Sequence, residues 1–358
     1  MKKVVILVND VTTILQFRCE LIRELVSLGH EVIVSVPESD RIKEIEDLGA
    51  KVVRTAVARH GKNPLKDIKL YRDYKKLVKE VKPDIVFTYT IKPNIYGGMA
   101  CGKLKVPFVA NVTGLGVAGD KGILQKLMLW LYKKGLKKAK SVFFQNKANL
   151  EFFTQKKIVK ENTILLPGSG VNVERFSFEE FPKDQKPNLI FVGRIIKDKG
   201  VFELAEAIKS IDKDSVNLTV VGDVEYGSVN PFEGIENVKC VGFHKDVKPF
   251  LKEAFAIVLP SYHEGMANVL LEAAATGRGV IASNIPGCRE TFDEGVSGFG
   301  FEVKNVESLT KALNNYLALT YEEKKNMGKA GREKMEKQFD RKIVVGEYVK
   351  QINSLENK

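Results

Sequence analysis

Thirteen short apolar runs separated by helical stretches constrain this chain more than any other feature. In the first half they are Lys3–Val8, Glu31–Val36, Lys51–Thr55, Asp84–Thr88, Phe108–Val112, Ser141–Gln145 and Thr163–Leu166. In the second half they are Leu189–Val192, Asn217–Val221, Val238–Val241, Ala256–Leu259, Val280–Ala282 and Gly300–Val303. The runs are nearly all apolar rather than alternating, as strands buried on both faces must be. Helical patterns such as Ile14–Leu28, Leu65–Val81 and Ile123–Lys138 lie between them. This alternation predicts an α/β protein whose parallel sheets are covered by helices on both sides. Ligands of such sheets bind beyond the carboxyl ends of the strands, so the residues just after each run are the ones to inspect.

A chain of 358 residues suggests two domains at about 150 residues each. The expected division is residues 1–170, residues 171–338, and a last helical stretch, 339–358, that returns to the first domain. Phe176–Asn188 is polar, carries Pro182 and Pro187, and reads as a linker. Cys19, Cys101, Cys240 and Cys288 are scattered and form no CxxC pair. That argues against a disulfide framework or a zinc site and for a reducing compartment. No apolar run is long enough to span a bilayer. The first one stops at Asn9-Asp10, too early for a signal peptide. Membrane-spanning, secreted-scaffold and collagen-like chains are therefore excluded. The net charge of +12 is unevenly spread: residues 1–180 carry +13 and the remainder −1. One half of the chain should face something anionic: a membrane surface, a phosphorylated substrate or nucleic acid.

Two segments concentrate the chemistry. Pro260-Ser261-Tyr262-His263-Glu264-Gly265-Met266-Ala267-Asn268-Val269 follows the run Ala256–Leu259 and leads into a helix beginning near Ala267. The unpaired amides of a helix start make an anion site. Glu272 is either a solvated helix residue or a functional one, and its flanks, Val269-Leu270-Leu271 and Ala273-Ala274-Ala275, are too apolar for an outward face. His263 is either a general base or a packing neighbour of Glu264. The second segment, Val192-Gly193-Arg194-Ile195-Ile196-Lys197-Asp198-Lys199-Gly200, places two cations around a turn. Arg offers a planar fork to phosphate oxygens and Lys a point charge. An ordinary basic loop is the other reading of that segment.

Together these segments resemble the retaining glycosyltransferases of the GT-B fold, family 4, the "group 1" transferases. The matching residues are Gly193-Arg194 with Lys199-Gly200, Glu264 and Glu272, Gly277 with Val280-Ile281-Ala282-Ser283, Gly170-Val171-Asn172 with Phe176, Val221-Gly222-Asp223, and Pro286-Gly287 with Glu290. In the first half, Thr90–Gly97 and Thr113-Gly114-Leu115-Gly116 look like members that extend undecaprenyl-diphosphate-linked sugars in bacterial glycan assembly. The resemblance implies two Rossmann-like domains whose parallel sheets face across a cleft. It implies a metal-independent hexosyltransferase that needs no cofactor, with a UDP-sugar as donor. Arg194 and Lys199 would clamp the diphosphate, and Glu264 would contact the transferring sugar. Those three form the implied catalytic set. Gly193, Phe243, Gly265, Met266, Ala267, Asn268 and Val269 would complete the donor site, and Glu272 would accept the ribose hydroxyls. Transfer would retain configuration by front-face attack. Two features depart from the family: Thr113 stands where many relatives carry a His, and Asn9–Gln16 holds no glycine. Lys92 and Thr113 are the acceptor-side candidates; for Lys92 the other reading is a surface lysine in a Pro-bounded turn.

Residues 121–140 hold seven Lys, no acid, and the sole Trp, Trp130, among leucines. Residues 59–82 hold nine Lys or Arg against three acids. A basic amphipathic helix with Trp suits a membrane interface, while a core helix with a solvated lysine face would show the same pattern. The implied function is transfer of a hexose or N-acetylhexosamine to a polyprenyl-diphosphate-linked saccharide, by a peripheral protein on the cytoplasmic face of the cell membrane. The alternatives are a UDP-sugar 2-epimerase of similar architecture and a nucleic-acid-binding protein suggested by the charge. No aromatic stacking pattern or recognisable motif supports nucleic acid as a partner.

Overall fold

The computed structural model describes residues 1–57, 64–114, 122–183 and 185–355. The chain forms two compact units, residues 1–169 with 342–358, and residues 170–341. The first is built on a seven-stranded sheet: β1 (Lys3–Leu7), β2 (Glu31–Val36), β3 (Lys51–Arg54), β4 (Ile85–Tyr89), β5 (Phe108–Val112), β6 (Ser141–Phe144) and β7 (Thr163–Leu165). Their order is β3-β2-β1-β4-β5-β6-β7 and every pairing is parallel. The second unit holds β8 (Asn188–Val192), β9 (Asn217–Val221), β10 (Val238–Gly242), β11 (Ala256–Leu259), β12 (Gly279–Ser283) and β13 (Gly298–Phe301). Their order is β10-β9-β8-β11-β12-β13, again all parallel. The strand order reverses between β1 and β4 in one sheet and between β8 and β11 in the other. Those switch points are where the fold leaves a crevice for ligands.

Each strand run of the sequence appears as a strand, because residues such as Val4–Leu7 and Ala256–Leu259 are buried on both faces. Helix Pro64–Val81 buries Leu70, Tyr74, Leu77 and Val78, one stripe at helical spacing, and opens on Pro64. The pattern Ile14–Leu28 is two helices, Val11–Phe17 and Cys19–Ser27. They part at Arg18, whose guanidinium is buried over the Tyr89 ring, 4.5 Å from its centroid. The last stretch of the chain breaks at Asp340. Helix Arg341–Asn353 then presents Val344, Tyr348 and Ile352 to the core of the first sheet. Tyr348 sits edge-on to Phe87 and Phe143, and its hydroxyl donates to Asn111 Oδ1. The two segments that leave the second unit run side by side. The Val171 N–H donates to Phe339 O at 2.8 Å, the Arg341 N–H to Val171 O at 2.9 Å, and the Arg341 guanidinium to Gly170 O.

The segment Phe176–Asn188 is not a tether, as its polarity had suggested. Phe181 lies in the second unit's core, edge-on to Phe255 and Tyr321. Its backbone is held by Arg278, a fully buried cation. The Arg278 Nη atoms donate to Glu179 O at 3.1 Å, Glu180 O at 3.0 Å, Lys252 O at 3.0 Å and Gly277 O at 3.2 Å, and Nε to Leu251 O at 2.9 Å. Five carbonyls thus replace the water a guanidinium loses on burial. Replacing Arg278 by Met keeps the volume and strands those carbonyls. The expected loss is about 3 kcal/mol, seen as a fall of several degrees in Tm. An unchanged Tm would show that the carbonyls find other donors.

Candidate active site

The two segments singled out in the sequence leave the carboxyl ends of β8 and β11, the neighbours that flank the second sheet's switch point. After β8 the chain passes Gly193 and Arg194 and makes a single 3-10 turn, Lys197–Lys199, before helix Val201–Lys209. After β11 it runs through Pro260–Ala267 into helix Asn268–Ala275. Gly200 lets these segments touch. Its φ is +68°, and a Cβ there would lie 2.1 Å from Pro260 O, so no other residue fits without moving backbone. The Tyr262 N–H donates to Asp198 O at 2.9 Å.

The contact this creates is the centre of the site. Lys199 Nζ lies 2.6 Å from Glu264 Oε1, with side chains 25% and 14% exposed. Arg194 is more open; its Nη1 donates to Glu225 Oε1 at 2.8 Å from the loop after β9. An exposed pair of this kind contributes about 0–1 kcal/mol, so an anionic ligand exchanges for Glu225 at little loss. Gly222 keeps that loop against the β8 exit: the Gly193 N–H donates to Val221 O, and a Gly222 Cβ would meet Gly193 O at 1.9 Å. Phe243, beyond β10, is exposed, and its N–H donates to Asp223 Oδ1 at 2.9 Å.

Helix Asn268–Ala275 begins one residue later than the sequence suggested, and no side chain caps its first turn. Its start therefore keeps the positive end of the helix dipole for an anion. Gly287 fits beneath the approach, where the Ala267 N–H donates to Gly287 O at 2.8 Å. The Met266 and Ala267 side chains are buried in the core, so Met266 can offer a ligand only backbone, and the Ala267 N–H is already given to Gly287 O. Asn268 donates to Met266 O at 3.3 Å, and its Oδ1 is buried with no hydrogen-bond partner. Val269 packs against the core. His263 is exposed. Glu272 lies one turn into the helix and is half-buried. Burial pushes its carboxyl up to about 7, against the pull of Arg341 and Arg175 and with the push of Asp246.

In the first unit, Lys92 follows β4 and is mostly buried, its Nζ 2.8 Å from Asp67 Oδ1. Tyr96 donates to Asp67 Oδ2 at 3.0 Å. Beside them a cavity of about 430 Å³ opens among Pro37, Val57, Lys66, Asp67, Lys69 and Lys92. Thr113 follows β5 and is half-buried. Leu115, Gly116, Lys121 and the first residues of the basic stretch 59–82, 59–63, lie outside the described residues. Sequence reasoning missed the pairings of Arg194 with Glu225, Lys92 with Asp67 and Tyr262 with Glu203. Each joins residues at least 25 apart, and no local pattern signals such a pairing. Among the described residues no group of three His, Cys, Asp or Glu could hold a metal ion.

Residues 172–334 match the family described as "Glycosyl transferases group 1", and residues 3–146 match "Glycosyl transferase 4-like". The chain is 28% identical over 360 residues to N,N'-diacetylbacillosaminyl-diphospho-undecaprenol alpha-1,3-N-acetylgalactosaminyltransferase of Campylobacter jejuni, covering 94% of this chain and 95% of that protein. It is 28% identical over 271 residues to the UDP-Gal:alpha-D-GlcNAc-diphosphoundecaprenol alpha-1,3-galactosyltransferase of Escherichia coli, covering 70% of each. A glycosyltransferase from Rickettsia africae superposes with a TM-score of 0.82 at 18% identity, over 99% of this chain and 98% of that one. Anabaena HepE, crystallised with UDP and glucose, gives 0.82 at 17% identity, over 99% and 100%. None of these is a 2-epimerase or a nucleic-acid-binding protein.

The raised Glu272 carboxyl sets a pH dependence of folding. Between about pH 5 and pH 7 the folded chain holds a proton that the unfolded chain has released, since the ordinary value is 4.5. The group's stabilising contribution is therefore complete below that window and lost as pH rises through it. In urea unfolding, Glu272→Gln should lose less stability than the parent between pH 5 and pH 8, by roughly 2–3 kcal/mol. Equal losses in both proteins would contradict the assignment.

Proposed function

From the premise that the chain belongs to the group 1 glycosyltransferases, with the GT-B fold, we propose that it moves a hexose or N-acetylhexosamine from a UDP-sugar to a polyprenyl-diphosphate-linked saccharide, with retention of configuration. The observation that carries this reading is the Lys199–Glu264 contact at the β8/β11 switch point. The full-length similarity to the Campylobacter transferase supports the acceptor class.

In this reading the donor diphosphate lies between Arg194 and Lys199, with the open helix start at Asn268 as a third source of positive potential. Gly193 and Gly265 allow close approach of backbone, and Phe243 flanks the nucleotide. Glu264 faces the transferring sugar and Glu272 the ribose hydroxyls; a carboxyl pushed up to about 7 can both donate and accept there. As the bond from the anomeric carbon to the UDP oxygen breaks, negative charge grows on the diphosphate. Fixed cations and amides aimed at that charge are the largest rate term such a site can supply. No metal or other cofactor is required. The acceptor hydroxyl attacks the same face, its oxygen bonds to the anomeric carbon, and its proton passes to the departing phosphate oxygen.

On the acceptor side, Lys92 and the adjoining cavity offer cations beside an apolar floor, and Thr113 borders the same edge of the sheet. Helix Ile123–Leu136 buries Tyr132 and Leu136 and exposes Leu127 and Trp130, 50% and 54%. Lys134 Nζ lies 5.5 Å from the Trp130 ring. One face of this helix packs, and the other sets Trp beside lysine, which supports the interfacial reading. Helix Pro64–Val81 also exposes Leu65 and Ile68, next in sequence to Lys66 and Lys69. No helix among the described residues is long and apolar enough to cross a membrane. The exposed Trp130 and the lysines beside it support action from the surface of an anionic bilayer, on the cytoplasmic face where a nucleotide sugar is available.

Two measurements test this. With UDP-GalNAc, UDP-GlcNAc, UDP-galactose and UDP-glucose offered against a polyprenyl-diphosphate sugar, one donor should give an α-linked product. Arg194→Ala should lower turnover roughly 100-fold without changing the circular dichroism spectrum; undiminished turnover would remove the diphosphate role. Co-sedimentation with vesicles containing phosphatidylglycerol should weaken with added salt and with Trp130→Ser, at about 1 kcal/mol per surface cation. Binding indifferent to both would exclude this helix as the membrane contact.

A further inference from the structure

Glu203 and Tyr262 form a second side-chain bond between the two segments that carry Lys199 and Glu264. Tyr262 Oη donates to Glu203 Oε1 at 2.5 Å. Glu203 lies in the first turn of the helix that starts directly after Lys199 and Gly200, and Tyr262 lies two residues before Glu264. The four residues thus close a ring. Two short covalent paths, 199–203 and 262–264, are joined at one end by the ammonium–carboxylate contact and at the other by the phenol–carboxylate bond. The Tyr262 N–H to Asp198 O bond and the Gly200–Pro260 approach tie the same two segments just outside the ring.

The bond is expensive for what it contributes to folding. Glu203 Oε2 is buried with no hydrogen-bond partner, and Tyr262 is itself buried. A buried carboxylate with one oxygen left unpaired is worse for stability than an apolar pair of the same shape. Burial and Glu203 also hold the phenol well above its ordinary range, so it stays a donor throughout the working pH. Lys304 Nζ stands 4.6 Å from the ring centroid and fixes its plane. A polar tie kept at the expense of stability, one helical turn from a catalytic cation and two residues from a catalytic carboxylate, fits a role in geometry.

We propose that Glu203 and Tyr262 are positioning residues: their bond sets the separation and direction of Lys199 and Glu264 against the donor. The inference rests on the reading that those two groups meet the donor. The full-length enzyme is assayed with its UDP-sugar and lipid-linked acceptor, measuring kcat, donor KM and Tm. Tyr262→Phe and Glu203→Leu are each expected to lower kcat about tenfold with donor KM within twofold. The double variant should lose no more than either single one, because one bond is removed in all three. Its Tm should equal or exceed the parent's. Glu203→Gln keeps an acceptor for the phenol and should recover most of kcat. A double variant with the parent's kcat, or a loss of activity that only tracks a loss of folded protein, overturns the inference. Glu264→Ala separates the two claims. If it is inactive while the double variant is fully active, only the positioning role falls; if it is itself active, the donor reading falls and takes this inference with it.

Discussion

Burial of both sheet faces is the constraint from which the rest of this molecule follows. A parallel strand covered on each side by helices has no room for a charged side chain along its length. The covered strands therefore read as apolar runs, while the edge strands β3 and β10 expose Lys51, Arg54 and Lys239, and the candidate functional groups are driven to strand ends. The reversal of strand order then selects which ends matter, since the carboxyl edge opens where neighbouring connections depart to opposite faces, at β1 and β4 in the first sheet and at β8 and β11 in the second. Lys199 and Glu264 are on the segments that follow β8 and β11. Their meeting is a property of topology first and of side-chain chemistry second.

That logic also marks what the sequence discloses. The strands were legible because burial imposes composition directly. The cation and carboxylate segments were legible because strand, turn and helix follow one another within about ten residues. Interactions between distant segments were not. Arg278 gives no sign in the sequence that it grips Glu179 and Glu180, because its partners are backbone carbonyls whose identity leaves no trace in composition. The polar, proline-bearing stretch after Phe176 looked like a linker for the same reason: its anchoring lies in Arg278 and in Phe181, not in its own pattern. Arg18 likewise breaks an otherwise continuous helical periodicity because a buried contact with Tyr89 outweighs local propensity.

The cations that follow the strands of either unit are not left bare. In the second unit Arg194 has Glu225 and Lys199 has Glu264; in the first, Lys92 has Asp67. Each pair is neutral as a unit, which lets the lysines lie mostly out of water. The pairs differ in exposure, and that difference decides what an incoming anion can do. The Arg194 pair is open to solvent and screened, so exchanging Glu225 for a phosphate changes little in free energy. The Lys199 pair is half sequestered, and its loops are tied by the Tyr262–Asp198 bond and by the fit of Gly200 under Pro260.

In the proposed reading a doubly charged donor meets two unequal partners. It recruits Arg194 freely, through a guanidinium that can present two parallel N–H groups to phosphate oxygens. It meets Lys199 in a fixed place, with Glu264 still beside it. The fixed pair holds a carboxylate next to the ammonium, so a single negative charge gains little there against the partner already present. Charge that accumulates on a departing diphosphate gains more, because it grows where the donors already point and no side chain must reorganise to receive it. Under the proposed reading, the asymmetry between an exposed arginine and a braced lysine favours the moment of bond breaking over the bound ground state, which is the condition for catalysis rather than mere capture of a nucleotide sugar.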